Sequence, residues 1–277
     1  MPLVSPKEIL LDAFRRQRLI GAFNTGNLEM TRGIIRAAEE FGAPILLQVA
    51  EKRMPHAPLD MIAPLMVGAA SAAKIPVAVQ LDHGESFDIL RACADYGFTG
   101  LMFDGSALPI AENILRTRAI RARFPDLWLE GEVGVLSGCE GGAEAEALHS
   151  DPQETARYAK NAQCDALAVS IGNAHGHYKG KPQLNFAVLA EIRALTNLPL
   201  VLHGGSGIPE EDLAKAVRLG ICKVNIATAS FDAFFRGAQT HAEDYFALVE
   251  QTAESVYQST RKHLKLFEKV SKDVLGL

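Results

Sequence analysis

Short apolar runs of β type alternate along the chain with longer amphipathic runs. Ile20-Gly21-Ala22-Phe23 reads as a strand; Met30, Ile34, Ile35, Ala37 and Ala38 then recur at helical spacing within 29–41, and Gly42 stops the helix. The alternation continues with strand 44–49, helix 59–73, strand 77–81, a helix capped by Ser86 and stopped by Gly97, strand 100–103 and a helix over about 109–124. Trp128–Val133 is the fifth strand. The Gly-, Ala- and Glu-rich stretch 134–150 has no clear period and reads as a functional loop rather than a linker. Asp151-Pro152 opens the next helix with proline in its first turn. Strand 166–171, helix 186–195, strand 200–202, helix 210–219 and strand 223–226 complete eight units without a linker-like break. Strands this apolar, separated by helices, predict a parallel sheet covered on both faces. Eight units in 277 residues fit an α/β fold of the closed (β/α)8 (TIM) barrel type. The expected organisation is one domain over 1–277, with about 229–277 as a C-terminal helical extension. An open doubly wound sheet is the alternative.

Composition narrows the setting. Lys and Arg total 28 against 33 Asp and Glu, so no basic excess exists to neutralise a nucleic-acid backbone. Four cysteines, at 93, 139, 164 and 222, lack CxxC spacing and fit a reduced, cytoplasmic protein. The N-terminus reads as an amphipathic helix start, not a signal peptide. The most apolar stretch, 61–81, is interrupted by Pro64, Lys74 and Pro76, so no membrane span is expected.

A polar group stands at or just past the end of every proposed strand: Asn24, Gln48, Asp82 with His83, Asp104, Glu130 with Glu132, Asn173 with His175, His203, and Asn225. In a barrel these ends converge on one mouth, where active sites lie. Three of the eight histidines, His83, His175 and His203, share this placement. Three imidazoles with one open position make a catalytic Zn2+ arrangement. His177 could replace His175, being two residues further into the loop. Asp82 adjoins a candidate ligand and is the candidate base. Asp104 and Glu132 could form an alternative metal position or orient the ligands. His203-Gly204-Gly205-Ser206-Gly207, with Pro209 opening a helix, and Asn225-Ile226-Ala227-Thr228 follow strands seven and eight. Loops at those strands are the usual phosphate site of such barrels.

These residues resemble the class II, metal-dependent fructose-bisphosphate and tagatose-bisphosphate aldolase family. The likeness runs from Gly21-Ala22-Phe23-Asn24 to about Thr228. It rests on Leu81-Asp82-His83-Gly84, Met102-Phe103-Asp104-Gly105-Ser106, Glu130-Gly131-Glu132, Ile171 to Lys179, Leu202 to Gly207, and Lys223 to Thr228. The resemblance implies a homodimer or homotetramer with Zn2+ at His83, His175 and His203, favouring His175 over His177. It implies that Asp82 moves the proton of the C4 hydroxyl and that Asp104 and Glu132 lie near an alternative metal position. It also implies a dihydroxyacetone-phosphate site at Asn24, Gly176, Gly204, Gly205, Ser206, Asn225 and Thr228, where a monovalent cation assists. Glu140 is the candidate loop acid/base.

The chain departs from the family pattern in places. Ala50 stands where a serine is common, Ala227 where aspartate is, and no Asp-Pro-Arg motif occurs near the C-terminus. In many members that arginine holds the distal phosphate of a neighbouring subunit's substrate. The expected activity is therefore a Zn2+-dependent aldolase cleaving a ketose 1-phosphate or bisphosphate to dihydroxyacetone phosphate and an aldehyde. Lys52-Arg53, Arg236 and Arg261 are the candidate substitutes at the distal end. Lys179 and Lys223 are expected to be structural or phosphate-adjacent, not Schiff-base lysines. Two rivals share the pocket: a metal-dependent hydrolase on the same barrel, and a non-catalytic sugar-phosphate sensor.

Overall fold

A computed structural model describes residues 2–135, 149–178 and 180–277. Eight parallel strands close into a barrel in chain order. They are β1 (Ile20–Asn24), β2 (Ile45–Ala50), β3 (Val77–Asp82), β4 (Gly100–Phe103), β5 (Trp128–Val133), β6 (Ala166–Val169), β7 (Leu200–Leu202) and β8 (Ile221–Ile226). β1 pairs with β8 through Ile20–Lys223 and Ala22–Asn225, which seals the cylinder. Every strand position is buried, the reason the runs read as continuously apolar. The open-sheet alternative is thereby excluded.

The helices follow the sequence closely. They are α1 (Pro6–Arg15), α2 (Leu28–Phe41), α3 (Leu59–Ala72), α4 (Phe87–Asp95), α5 (Ile110–Arg123), α6 (Pro152–Asn161), α7 (Phe186–Leu195), α8 (Glu210–Arg218), α9 (Thr228–Gln239) and α10 (Tyr245–Leu275). Local chemistry sets their ends. Asn27 caps α2 at the N–H of Met30, and Gly42 ends it in the left-handed conformation at φ 59°. α10 lies against α2, α8 and α9, closing the outer ring beside β1.

Two apolar cores result. The outward side chains of the strands, such as Phe23, Leu47, Val79 and Leu167, pack under the helices. The inward ones, Ile20, Ala22, Leu46, Ala78, Met102, Trp128, Ala166, Ala168, Val201 and Cys222, fill the lower barrel together with Ile9, Leu10 and Ala13 of α1. A capping box between Ser5 and Glu8 fixes the start of α1, so the helix acts as a plug under the barrel. Leu10→Ala is expected to lower stability by about 2–5 kcal/mol, the cost of a buried cavity. Urea denaturation would measure it, and an unchanged midpoint would show that α1 is no plug.

Candidate active site

The mouth of the barrel gathers His83, His175 and His203. The ring centroids of His83 and His175 are 4.8 Å apart, and those of His83 and His203 are 4.6 Å apart. Each residue follows a different strand, β3, β6 and β7, so barrel closure is what unites them. His83 adopts φ 44°, a left-handed backbone that a non-glycine residue enters at a cost of about 1–2 kcal/mol. His83 Nδ1 lies 2.8 Å from Asp104, and His203 Nε2 lies 3.0 Å from Glu130. Both outer nitrogens therefore direct their N–H to carboxylates. The two inner nitrogens, His83 Nε2 and His203 Nδ1, face each other at 2.8 Å. Positive charge has to stand between them. Ligand atoms of the three histidines all fall within 4.8 Å of one another, as do those of His83, Asp104 and Glu132. The buried Glu132 Oε2 has no hydrogen-bond partner among the described residues. This donor set fits a divalent metal ion.

Asp82 ends β3 beside His83 and is almost fully buried. Its two oxygens are held separately: Asn24 Nδ2 donates to Oδ2 and Asn225 Nδ2 donates to Oδ1, each at 2.9 Å. Amide donors on both oxygens favour the ionised acceptor form and fix its direction. Asn24 and Asn225, expected at the phosphate, thus also clamp the carboxylate. Their own Oδ1 atoms are buried and lack partners among the described residues.

One recess is lined by Asn24, Asp82, His83, His175, Gly176, Gly204, Ser206, Asn225, Ala227 and Thr228. Gly204 sits at φ 63°, where a Cβ would come within 2.0 Å of Ala174 O. A Cβ on Gly205 would meet Val224 at 2.0 Å. These glycines let the β7 loop close down on its neighbours. The first turn of α9 has no side chain from its N-cap, Ala227; the Ala229 N–H donates to Ser206 Oγ. Free N–H groups at a helix start favour an anion. The helix end at the recess is that of α9. The helix opened by Pro209, which the sequence suggested, is α8, and its first turn does not line this recess.

Other expected residues fall elsewhere. His177 is exposed and pairs with Asp232 at 2.8 Å, apart from the cluster. His263, one of the histidines with no strand-end placement, packs against Phe23 and Phe267. Arg53 stacks over Phe231 and Arg261 pairs with Glu40. Glu140, Cys139 and Lys179 lie outside the described residues, as does 136–148, most of the proposed functional loop. Lys223 points into the barrel and meets Glu130 at 2.8 Å. A wider cleft of about 450 Å3 opens on the other side of the histidines, and Lys52, Ser106, Leu108 and Arg116 are among its lining. Arg116 was not singled out because the 109–124 run reads as an outer helix and Arg116 lies midway along it. Tyr178 was also missed: it accepts from Ala174 N–H and donates to Gly204 O, tying the β6 loop to the β7 loop.

A parallel barrel with converging histidines beside a clamped carboxylate has the donor set of a metal-site barrel. The chain matches the family described as class II fructose-bisphosphate aldolase over residues 4–272. It is 39% identical over 247 residues to a fructose-bisphosphate aldolase of Geobacillus stearothermophilus, covering 86% of this chain and 85% of that protein. It is 35% identical to a 6-phospho-5-dehydro-2-deoxy-D-gluconate aldolase of Shouchella clausii, covering 98% and 97%. The crystal structure of the YdjI aldolase from Escherichia coli K12 superposes with a TM-score of 0.87 at 32% identity, covering 96% and 97%. The chain belongs to the class II fructose-bisphosphate aldolase family. It is an aldolase, hence a lyase, of a family that is generally metal-dependent.

The charges of the mouth suit that chemistry. Burial opposes a charged His83, but the Asp82, Asp104 and Glu132 carboxylates outweigh it and push its pKa up to about 10. Burial, reinforced by His83 and His203, holds His175 down at about 3, and burial also lowers His203. Burial raises Glu132, and Asp104, Glu130 and Asp82 add to the effect. Burial would raise Asp82 too, yet His83, His203, Lys223 and the Asn24 hydrogen bond bring it below its ordinary value. In the metal-free protein the proton on His83 thus supplies the positive charge between the facing nitrogens. A metal ion bound there has to displace it. Zn2+ binding at pH 7–8 is expected to release at least one proton per ion, because His83 is still protonated below about 10. Calorimetry in buffers of different ionisation enthalpy would count the protons, and a count of zero would contradict this assignment.

Proposed function

We propose that the chain is a Zn2+-dependent aldolase that reversibly cleaves a ketose 1-phosphate to dihydroxyacetone phosphate and an aldehyde. One observation carries this reading: Asp82, His83 and His175 line the same recess as the glycine loop and the start of α9. Base, metal position and anion cradle therefore address one small molecule. His83, His175 and His203 would hold the ion, with Asp104 and Glu132 beside its alternative position. Zn2+ there supplies a Lewis acid for the negative charge that develops as the C3–C4 bond breaks.

The chain's own residues do the rest. Gly176, Gly204, Gly205, Ser206, Asn225 and Thr228 seat the phosphate, which sets the reacting carbons against the histidines. Asp82, held ionised and aimed by Asn24 and Asn225, takes the C4 hydroxyl proton during cleavage and returns it during condensation. Lys223 is turned away from the mouth towards Glu130, so it offers no Schiff base. The protein works as a cytoplasmic homodimer or homotetramer, one barrel domain per chain with 229–277 as its helical extension. No helix among the described residues is long and apolar enough to cross a membrane.

Chelation should abolish cleavage and Zn2+ should restore it. Asp82→Asn should lower kcat by about 10²–10⁴-fold while zinc content stays the same. Full activity of metal-free protein, or of Asp82→Asn, would overturn the mechanism.

The far half of the substrate distinguishes this chain. The relatives' names span a fructose bisphosphate and a 6-phospho-5-dehydro-2-deoxy-D-gluconate. Here the cleft carries Lys52 and Arg116, but each already faces an acid: Lys52 pairs with Glu85 at 2.9 Å and Arg116 pairs with Glu112. A second phosphate would meet a rim with little net positive charge and no family arginine motif. Bisphosphate preference is therefore weak, and the natural aldehyde carries a hydroxyl or carboxylate at its far end. The measurement is kcat/KM for fructose 1,6-bisphosphate against fructose 1-phosphate, and for the tagatose pair. A loss above about 100-fold on deleting the distal phosphate, near 2.7 kcal/mol, would overturn it.

A further inference from the structure

Beneath the histidines, Glu130 is sealed inside the barrel with Lys223, both fully buried. Its surroundings are all donors. Gln80 Nε2 donates to Oε2 at 3.0 Å. Lys223 Nζ reaches both oxygens, at 2.8 Å and 3.1 Å. His203 Nε2 lies 3.0 Å from Oε1. A carboxyl met only by donors is an ionised acceptor, so the His203 proton sits on Nε2; Asn225 Nδ2 also lies 3.3 Å from that nitrogen but donates to Asp82 Oδ1 at the shorter 2.9 Å. That leaves Nδ1 as the lone pair, and Nδ1 is the atom facing His83 Nε2 at 2.8 Å. Three strands hold the arrangement: Gln80 is on β3, Glu130 on β5 and Lys223 on β8, and His203 follows directly on β7.

We propose that Glu130 and Lys223 are positioning residues that fix the tautomer and direction of His203 and so set the affinity of the histidine cluster for a divalent metal. This rests on the reading that the cluster holds the ion. Lys223 is essential to the arrangement because it occupies both carboxylate oxygens with donors and balances their charge. Glu130 then keeps an acceptor in line with His203. An amide at position 130 would have one acceptor end and one donor end against three donors. Either it turns its NH2 towards His203, which moves the proton to Nδ1 and blocks the metal, or it opposes Lys223 and Gln80. Neither residue touches the recess, so substrate binding should not depend on them directly.

The test measures Zn2+ affinity by competition with a chromophoric chelator for wild type, Lys223→Met, Glu130→Gln and Gln80→Leu. Circular dichroism and melting of the metal-free forms control for folding. Gln80→Leu removes one donor from Glu130 without removing charge, so it keeps the test open if the buried-charge variants fail to fold. Affinity is expected to fall about 10- to 100-fold in Glu130→Gln and Lys223→Met, and by less in Gln80→Leu. The visible spectrum of the Co2+-loaded proteins should shift in Glu130→Gln, a change that a packing role would not produce. KM at saturating Zn2+ should stay near the wild-type value. Folded Glu130→Gln or Lys223→Met protein with unchanged affinity and an unchanged Co2+ spectrum would overturn the proposal alone, as would unchanged affinity in Gln80→Leu if neither of those variants folds. Wild-type protein that binds neither Zn2+ nor Co2+ would overturn the metal reading with it.

Discussion

The inside of a closed eight-stranded barrel has to be filled, and the active site depends on where the filling changes character. Below, small and apolar side chains such as Ala22, Ala78, Ala166 and Ala168 pack with Trp128 and Met102 over α1. Above them the inward positions become Gln48, Gln80, Glu130 and Lys223, all fully buried. Burying these groups costs free energy unless they are paired. Lys223, Gln80 and His203 provide that pairing for Glu130, whereas both ends of the Gln48 amide and Gln80 Oε1 lack partners among the described residues. The histidines and Asp82 stand on that layer. Their positions follow from strand closure and from the network beneath them.

Much of this was legible in the chain because barrel geometry turns a one-dimensional fact into a three-dimensional one. A polar residue at the end of a parallel strand must face the common mouth. That rule alone brings His83, His175 and His203 together, and the structure has their rings in contact range. What could not be read was how residues far apart in sequence bond to one another. Asn24 and Asn225 are 58 and 143 residues from Asp82, yet each holds one of its oxygens. Glu130 and Lys223 are 93 residues apart. Nothing in periodicity predicts such pairs, since any inward polar residue on one strand could meet several others. The helix end that lines this recess was hard to read for a related reason. Pro209 is a strong start signal, whereas α9 begins at Ala227 without a capping side chain. The absent capping side chain weakens the sequence signal, and Ser206 Oγ takes the Ala229 N–H in its place.

Backbone constraints and charge act together at the mouth. His83 is turned by a left-handed residue immediately after β3, and the next residue, Gly84, is bonded back to the β4 strand through Met102 O at 3.1 Å. Asn173 similarly ties its loop to its neighbour, donating to His203 O at 3.1 Å and accepting from Ile171 N–H at 2.8 Å. With Tyr178 bridging to Gly204, the loops carrying His175 and His203 are joined twice. Displacing one would displace the other. Such coupling suits a site in which three histidines from three strands keep a fixed separation.

The two sides of the mouth also differ in how they would receive negative charge. On the β4–β5 side, Asp104 and Glu132 crowd His83, and with Asp82 they outweigh burial and raise its pKa to about 10. A phosphate placed there would be repelled, whereas a metal cation would be drawn in. On the β7–β8 side the recess presents neutral groups, glycine backbone, Ser206, Thr228 and the start of a helix, beside Asp82 and His83, which line it too. Neutral donors bind a phosphate without competing for the metal's acidic surroundings. On the proposed function, a substrate with one phosphate would lie with its anion over α9, its reacting carbons at the histidines and the remaining chain towards the cleft of Lys52 and Arg116. In that reading, the acidic β4–β5 side and the amide and hydroxyl donors of the β7–β8 side would set the direction before any contact with the far half is made.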